Sequence, residues 1–423
     1  MDGPEVANPL TQGIDARAAS RHLVAVLTKR VGPEHLGLVE DAVQDAFVAA
    51  LRTWGIRGSR PVDPVAWLYR AAWNRMVDQF RRVEPDSLDP VGVDPVHDPG
   101  QEARTDGDGD DELRLVMLCC HPTLSADSQV ALTLKIAAGF SVAEIARLLG
   151  AAPDAVDQRL VRAKRSLRTS GVSLDLAPAE LTRRSAVALE VLYGMFSEGY
   201  SSLTAPTGLR RELCIEALRL THRMLADPAT ASPPAHALAS LFAFHLSRFD
   251  ARFDDAGAFQ SLRDQDRQRW NRRAIALGLD HLRRSTGPTL TRYHLEAEIA
   301  SCHAVATHYR ETDWTRIIGL YDALLEQWPT RTARLARAIA VGERDGPRIG
   351  LKALENLAGS ENDPAYLAAM AHCWEQAGNH AHAAAWYRRA LEMAVAPGVR
   401  RLMEAALVRV IGTDVGSEPV DPS

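Results

Sequence analysis

Five cations crowd one short stretch, Arg159, Arg162, Lys164, Arg165 and Arg168, against a single carboxylate at Asp157, a net charge of +4. On one helix such a set neutralises phosphates along a DNA groove. Gln158 and Arg162 have the chemistry to reach base edges, while Arg159, Lys164, Arg165 and Arg168 suit phosphate oxygens. A second concentration runs from Arg70 to Arg82, where four arginines against Asp78 give +3, with Trp67, Tyr69 and Trp73 close by. Such rings are more often buried anchors, although exposed ones beside cations stack on unpaired bases.

Other side chains invite other chemistry and support it less. Cys119, Cys120 and His121 adjoin, but adjacent cysteines lack the usual two-residue gap of a metal site and no second pair exists, so core packing is the expected role. His236, His245, His294, His303, His308, His372, His380 and His382 form neither HExxH nor a cysteine–histidine spacing. Asp264 and Asp266 in DQDR could act as paired acid and base, yet an ion pair with Arg263 or Arg267 explains them as well. With no phosphate-cradling glycine loop or nucleophile elbow, no catalytic residue, cofactor or metal ligand is assigned, and the chain reads as a non-enzyme.

The elements that must position these residues are helices. Of 423 residues, 46% are hydrophobic and only 6% aromatic, and alternating runs of Val, Ile and Thr are missing, so an all-α chain of several domains is expected. Val142, Ile145, Ala146 and Leu149 mark one helical face, Gly150 breaks it, and Val156, Leu160, Ala163 and Leu167 resume it, predicting a helix-turn-helix within residues 113–171. LVAVLTKRV, LVEDAVQDAFVAALRTW and DPVAWLYRAAWNRMVDQFRR predict a small helical bundle over 15–83. Between these units, residues 84–112 carry eleven carboxylates and one cation, a net −10 within a chain of net −5, together with four prolines. That composition predicts a flexible acidic linker, whose 29 residues reach about 95 Å when extended. No apolar run is long enough for a bilayer and the N-terminus lacks a signal pattern, so a cytoplasmic protein with reduced thiols is expected.

The last part repeats. Aligned to a 34-residue helical pair, 365–397 places Leu367, Met370, Ala371, Trp374, Gly378, Ala383, Tyr387 and Ala390 at its large and small positions. RIIGLYDALLEQWP is an earlier copy, and Pro329 and Pro397 lie 68 residues apart, two repeat lengths. A helical extension over 183–297 followed by tetratricopeptide-like repeats over 298–412 would offer a concave surface to a protein or peptide.

Together the segments resemble the extracytoplasmic-function sigma factors of the sigma-70 family. EDAVQDAFVAALRTW is similar to the helix that docks on polymerase, WLYRAAWNRMVDQFRR to the segment that reads and melts the −10 element, and RLVRAKRSL to the end of a −35-reading helix. CCHPTLSADSQVALTLKIAAGFSVAEIA, VLYGMFSEGY and DQDRQRWN resemble the subgroup with a large helical C-terminal extension. The resemblance implies a sigma domain 2 at 15–83 and a sigma domain 4 at 113–171, with core RNA polymerase (the β′ clamp and β flap) and promoter DNA as partners. It places polymerase contacts at Asp41, Gln44, Asp45 and Phe47, an unstacked base at Asn74, backbone contacts at Arg81 and Arg82, and a flipped base near the loop Ile56 to Arg60. The linker charge would suit the basic channel through which nascent RNA passes. Asp154, Asp157 and Gln158 stand where the family more often has basic or hydroxyl residues, which leaves the promoter sequence open. The competing reading is a repeat-bearing transcriptional regulator that binds duplex DNA without polymerase.

Overall fold

The computed structural model describes residues 15–57, 61–83, 108–174, 176–200, 210–254, 259–357, 362–393 and 397–414. Among them there is no strand beyond an isolated bridge between Phe253 and Phe259, so the chain is all-α as its composition predicts. Residues 84–107 of the expected linker and 58–60 of the expected base-flipping loop lie outside the described residues.

The chain divides into two compact units, residues 1–195 with 222–231, and 196–221 with 232–423. In the first, α1 (Ala16–Val31) starts where the Asp15 carboxylate accepts from the amides of Arg17 and Ala18. Helices α2 (Leu36–Arg57) and α3 (Pro64–Val83) pack together, with Leu36, Val39, Val43, Ala46 and Ala50 of α2 facing Leu68, Tyr69, Ala72 and Met76 of α3 in the buried interior. Tyr69 is fully buried and its hydroxyl accepts from Arg30 Nη1 at 2.9 Å, the Arg30 guanidinium covers Trp73 at 4.2 Å, and Trp67 meets Trp54 edge-on at 5.3 Å. Of the three rings of the basic segment, Tyr69 is thus a buried anchor, while Trp67 and Trp73 are half-buried.

Helix α4 (Asp108–Cys119) begins inside the stretch whose composition predicts a linker. Its Asp111 and Glu112 are buried, Asp111 bonding Lys29 at 2.7 Å and Glu112 bonding Arg21 at 3.5 Å and Arg223 at 2.9 Å. Counter-cations contributed by distant segments turn the last acidic residues into helix, a partnership that local composition does not record. After α5 (Ala126–Leu132) a wider π-type turn, Thr133–Ala137, leads to α6 (Val142–Leu149), closed at its start by a reciprocal Ser141–Glu144 capping box. Gly150 adopts φ 61°, the left-handed conformation that lets the chain reverse, and α7 (Pro153–Thr169) follows with proline in its first turn. Val156, Leu160, Ala163 and Leu167 are buried as their spacing predicts. Part of α8 (Pro178–Tyr200) and of α9 (Arg211–Ala226) also belongs to this first unit, so the boundary expected between residues 171 and 183 is not the edge of the compact unit.

The second unit runs through α10 (Pro233–Ser247), α11 (Arg272–Arg284), α12 (Arg292–Val305), α13 (Trp314–Gln327), α14 (Arg331–Asp345), α15 (Pro347–Glu355), α16 (Pro364–Gln376), α17 (His380–Leu391) and α18 (Pro397–Asp414), each from α11 onward packed on the one before it. Helices α14 and α15 approach so closely that a Cβ on Gly350 would lie 2.8 Å from the Gly342 Cα. Leu367, Met370, Ala371, Ala383, Tyr387 and Ala390 share one buried cluster, Trp374 packs partly buried against it, and Gly378 turns the chain at φ 78°.

Candidate nucleic-acid and polymerase interface

On α7 the buried apolar face leaves Asp157, Gln158, Arg162, Arg165 and Arg168 exposed. Gln158, Arg162 and Arg165 follow the helical period and share a stripe with Val161, an apolar side chain 59% exposed. The other two cations of the set are held differently. Arg159 lies 3.6 Å from Asp127, and Lys164 is bonded to Glu40 of α2. Glu40 is buried and also takes Lys135 at 2.8 Å, while Gln44 Nε2 donates to it at 3.2 Å. A carboxylate between two lysines therefore ties the end of the helix-turn-helix to α2. Two contacts from Arg17 tie α1 to the same helix-turn-helix. Arg17 bonds Glu144 at 2.8 Å and covers Phe140 at 4.4 Å. Burial would raise the Glu144 pKa, but the Ser141 amide and hydroxyl together with Arg17 outweigh it and hold the carboxyl below its usual range.

On α2, Asp41, Gln44 and Asp45 are exposed and Phe47 is half-buried. Asp45 bonds Arg75 of α3 at 2.8 Å, and burial raises the Asp41 pKa with help from the neighbouring Glu40 and Asp45. Val48 and Leu51, 44% and 41% exposed, extend the same face. Composition gives no reason to single them out, because exposure and not residue type marks them. Glu40 carries a signal in the sequence itself: it falls among Leu36, Val39, Val43 and Ala46 on the apolar stripe of α2, where an acid requires a partner. On α3, Asn74, Arg81 and Arg82 are exposed. The structure thus brings Lys164 to the α2 residues and leaves Asn74, Arg81 and Arg82 on their own helix.

The remaining chemical candidates are used structurally. Cys119 and Cys120 are fully buried; the Cys119 thiol lies 3.7 Å from the Leu132 carbonyl, and burial pushes the Cys120 thiol up to about 12. His121 bonds Thr123 at 2.7 Å. Native chain is expected to leave both thiols unmodified by iodoacetamide at pH 8, because the reactive thiolate is suppressed. Mass spectrometry showing alkylation before unfolding would disprove that. The two acids of DQDR do not pair with Arg263 or Arg267 as the sequence suggests: Asp264 accepts from Ser261 at 2.6 Å, and Asp266 caps a 3-10 turn, Arg267–Arg269, at the Gln268 amide. Arg263 bonds Glu343 instead. Among the described residues no group of three or more His, Cys, Asp or Glu is arranged to hold a metal, and no helix is long and apolar enough to cross a membrane.

Family models match three stretches of the chain. Sigma-70 region 2 matches residues 16–84, sigma-70 region 4 matches 114–167, and a family of unknown function, DUF6596, matches 183–286. An uncharacterized protein of Rhizobium meliloti (strain 1021) is 36% identical over 335 residues, covering 76% of this chain and 78% of that one. The ECF RNA polymerase sigma-E factor of Escherichia coli (strain K12) is 30% identical over 156 residues, covering 35% of this chain and 80% of its own. Its counterpart in Salmonella typhimurium (strain LT2) is 29% identical over the same length. No solved structure matches. With both sigma regions on helices that present separate cationic faces, and a sigma-E factor matched over most of its length, the chain belongs to the extracytoplasmic-function family of RNA polymerase sigma factors.

Proposed function

We propose that this sigma factor directs core RNA polymerase to its promoters by two separated readings of DNA, and that in the free chain the two reading units are held together. The observation that carries this is the Lys164–Glu40–Lys135 bridge, which occupies a lysine of α7 with a carboxylate of the helix that resembles the polymerase-docking element. In this scheme α7 enters the −35 major groove. Gln158 and Arg162 meet base edges, Val161 offers an apolar contact for a thymine methyl, and Arg159, Lys164, Arg165 and Arg168 hold phosphates. Asp157 bounds that set. On α2, Asp41, Gln44, Asp45 and Phe47, joined by Val48 and Leu51, form the docking face for the β′ clamp, and the helix-turn-helix unit would meet the β flap. Parting α2 from α7 on polymerase frees Lys164 for DNA and lets the two units reach elements that lie apart along the duplex.

Reconstituted transcription with purified core and a promoter library tests this. Promoter-specific transcripts are expected only with core and full chain together, and the free chain should bind the same duplexes weakly. Tight sequence-specific binding by the free chain at physiological salt would favour a regulator that acts without polymerase. Asn74 on α3 is proposed to receive an unstacked base of the −10 element, with Arg81 and Arg82 on its backbone. Asn74→Ala is expected to spare closed-complex formation and impair opening, read by permanganate footprinting on linear and pre-melted templates. Normal opening of linear DNA would remove Asn74 from the role.

The C-terminal unit is proposed to be a set of tetratricopeptide-like repeats that controls access of the sigma regions to polymerase, since a unit on the same chain acts at high effective concentration. A chain ended after Ala231 retains every segment of the first unit. Altered core affinity or transcription by that chain supports intramolecular control, and unchanged values leave a docking platform for a protein or peptide.

A further inference from the structure

We propose that the second unit contains a binding site for a phosphate-type oxyanion, formed by Arg248, Arg252 and Arg267 with His303 and Trp270. These residues come from segments that a short backbone path folds together. Arg248 ends α10, Arg252 follows a 3-10 turn, Phe249–Ala251, Arg267 opens the next 3-10 turn, and His303 lies in the last turn of α12. The two 3-10 turns pack against each other. Arg267 Nη1 donates to the carbonyls of His303 and Ala306, the latter at 2.8 Å, which fixes its guanidinium at the end of α12.

Aromatic rings hold the guanidinium planes and keep water from them. Arg252 lies over Tyr200 at 4.2 Å and Phe259 at 4.9 Å, and Arg267 over Trp270 at 4.7 Å. Arg248 Nε donates to the Tyr200 hydroxyl at 2.6 Å, and Arg252 Nη1 to the Tyr200 carbonyl at 3.2 Å. What these contacts leave over is a set of buried N–H groups with no partner among the described residues: Arg252 Nε, Arg267 Nη2 and Trp270 Nε1, together with His303 Nδ1, a donor in one of its tautomers. Arg252 is only 7% exposed and Trp270 4%. Buried donors of this kind ordinarily find acceptors, and this site offers almost nothing but donors.

The charge balance points the same way. Among the described residues, Arg248, Arg252 and Arg267 form no ion pair with a carboxylate, whereas their neighbours do. Arg263 is neutralised by both oxygens of Glu343 at 2.9 and 2.7 Å, and Arg211 by Asp250 at 2.7 Å. Glu311 is a carboxylate whose field reaches Arg267, and it acts more weakly there than Arg248 does. Burial, with Arg248 and Arg267 beside it, brings His303 down to about 3, and burial with Arg248 and Arg252 depresses His245 as well, so both rings are neutral at physiological pH. Guanidinium groups stay charged even so. Three guanidinium groups, Arg252 buried and Arg248 and Arg267 half-buried, together with several lone N–H donors suit a ligand rich in hydrogen-bond acceptors that carries close to two negative charges. A phosphate group has both properties, and a monocarboxylate lacks the second. The ligand is therefore inorganic phosphate or the phosphate of a phosphomonoester.

Thermal unfolding and tryptophan fluorescence of the full chain, at matched ionic strength, test the site with inorganic phosphate, glycerol 3-phosphate, malonate and chloride. Phosphate is expected to raise Tm progressively with concentration, as binding to the native state alone requires, and to change the emission through Trp270. Tighter binding of glycerol 3-phosphate identifies a phosphomonoester as the source, and tighter binding of inorganic phosphate identifies the free ion. Arg248→Gln is expected to weaken phosphate binding about tenfold or more, while leaving Tm in chloride undiminished, because it removes an uncompensated charge. Arg248→Lys, which keeps the charge, should bind phosphate more tightly than Arg248→Gln and covers the case in which the glutamine variant fails to fold. No phosphate effect beyond chloride, an equal effect of malonate, or wild-type binding by the Arg248 variants would overturn the site. The readout is binding, so its failure leaves the polymerase reading untouched.

Discussion

Glu40→Gln is expected to destabilise the first unit by about 2 kcal/mol and to strengthen the free chain's non-specific binding to duplex DNA. The carboxylate is buried between Lys135 and Lys164, whose side chains are 12% and 24% exposed. Removing one partner of a fully buried pair costs about 3 to 5 kcal/mol, since the other charge is left without compensation. Here the loss is smaller because Lys164 sits near the surface and can swing into water, whereas Lys135 cannot. The freed Lys164 adds a phosphate contact, so the slope of log affinity against log salt should steepen by about 0.9. Denaturant unfolding measures the first effect and fluorescence anisotropy over a salt series the second. Adding Lys164→Gln to the same chain should return the slope toward its original value. If the single variant leaves both stability and slope unchanged, Glu40 does not hold α2 and α7 together.

Arg162→Ala should change which promoters are used, at a cost of about 1 to 3 kcal/mol at the base pair it reads, which is the range for a lost bidentate contact to guanine. Gln158→Ala should act similarly at an adjacent position. Arg165→Ala, on the same exposed stripe but assigned to phosphate, should weaken all promoters about equally and flatten the salt dependence by about 0.9. The comparison is made by transcription from a library varied at the −35 element. Should Arg162→Ala and Arg165→Ala shift all promoters alike, the division of α7 into base-reading and phosphate-holding residues is wrong.

Much of this molecule was legible in one dimension because the relevant physics is local. The period of Val156, Leu160, Ala163 and Leu167 fixes the buried face of α7, and with it the exposure of Gln158, Arg162 and Arg165, before any partner is known. Ser141 and Glu144 three residues apart, and Gly150 after Leu149, carry the start and stop of α6 in their own side-chain chemistry. The same holds for Leu367, Met370, Ala371 and Tyr387, whose spacing alone places them in one core. Burial and capping repeat with the helix, so a sequence records them.

Electrostatic partnership between distant segments leaves no such record. Asp108 to Glu112 have the composition of linker, yet Lys29, Arg21 and Arg223, from 82 or more positions away, make Asp111 and Glu112 part of a packed helix. Lys164 has the type and place of a phosphate ligand, and only the fold gives it to Glu40. DQDR reads as paired acids, but the tertiary structure takes its arginine to the end of α12, and its acids go into local hydrogen bonds, Asp266 as a cap and Asp264 with Ser261. A charged side chain fixes what kind of partner it needs; which partner it meets depends on where the chain returns, and that was decided by the packing of apolar faces far from the charge.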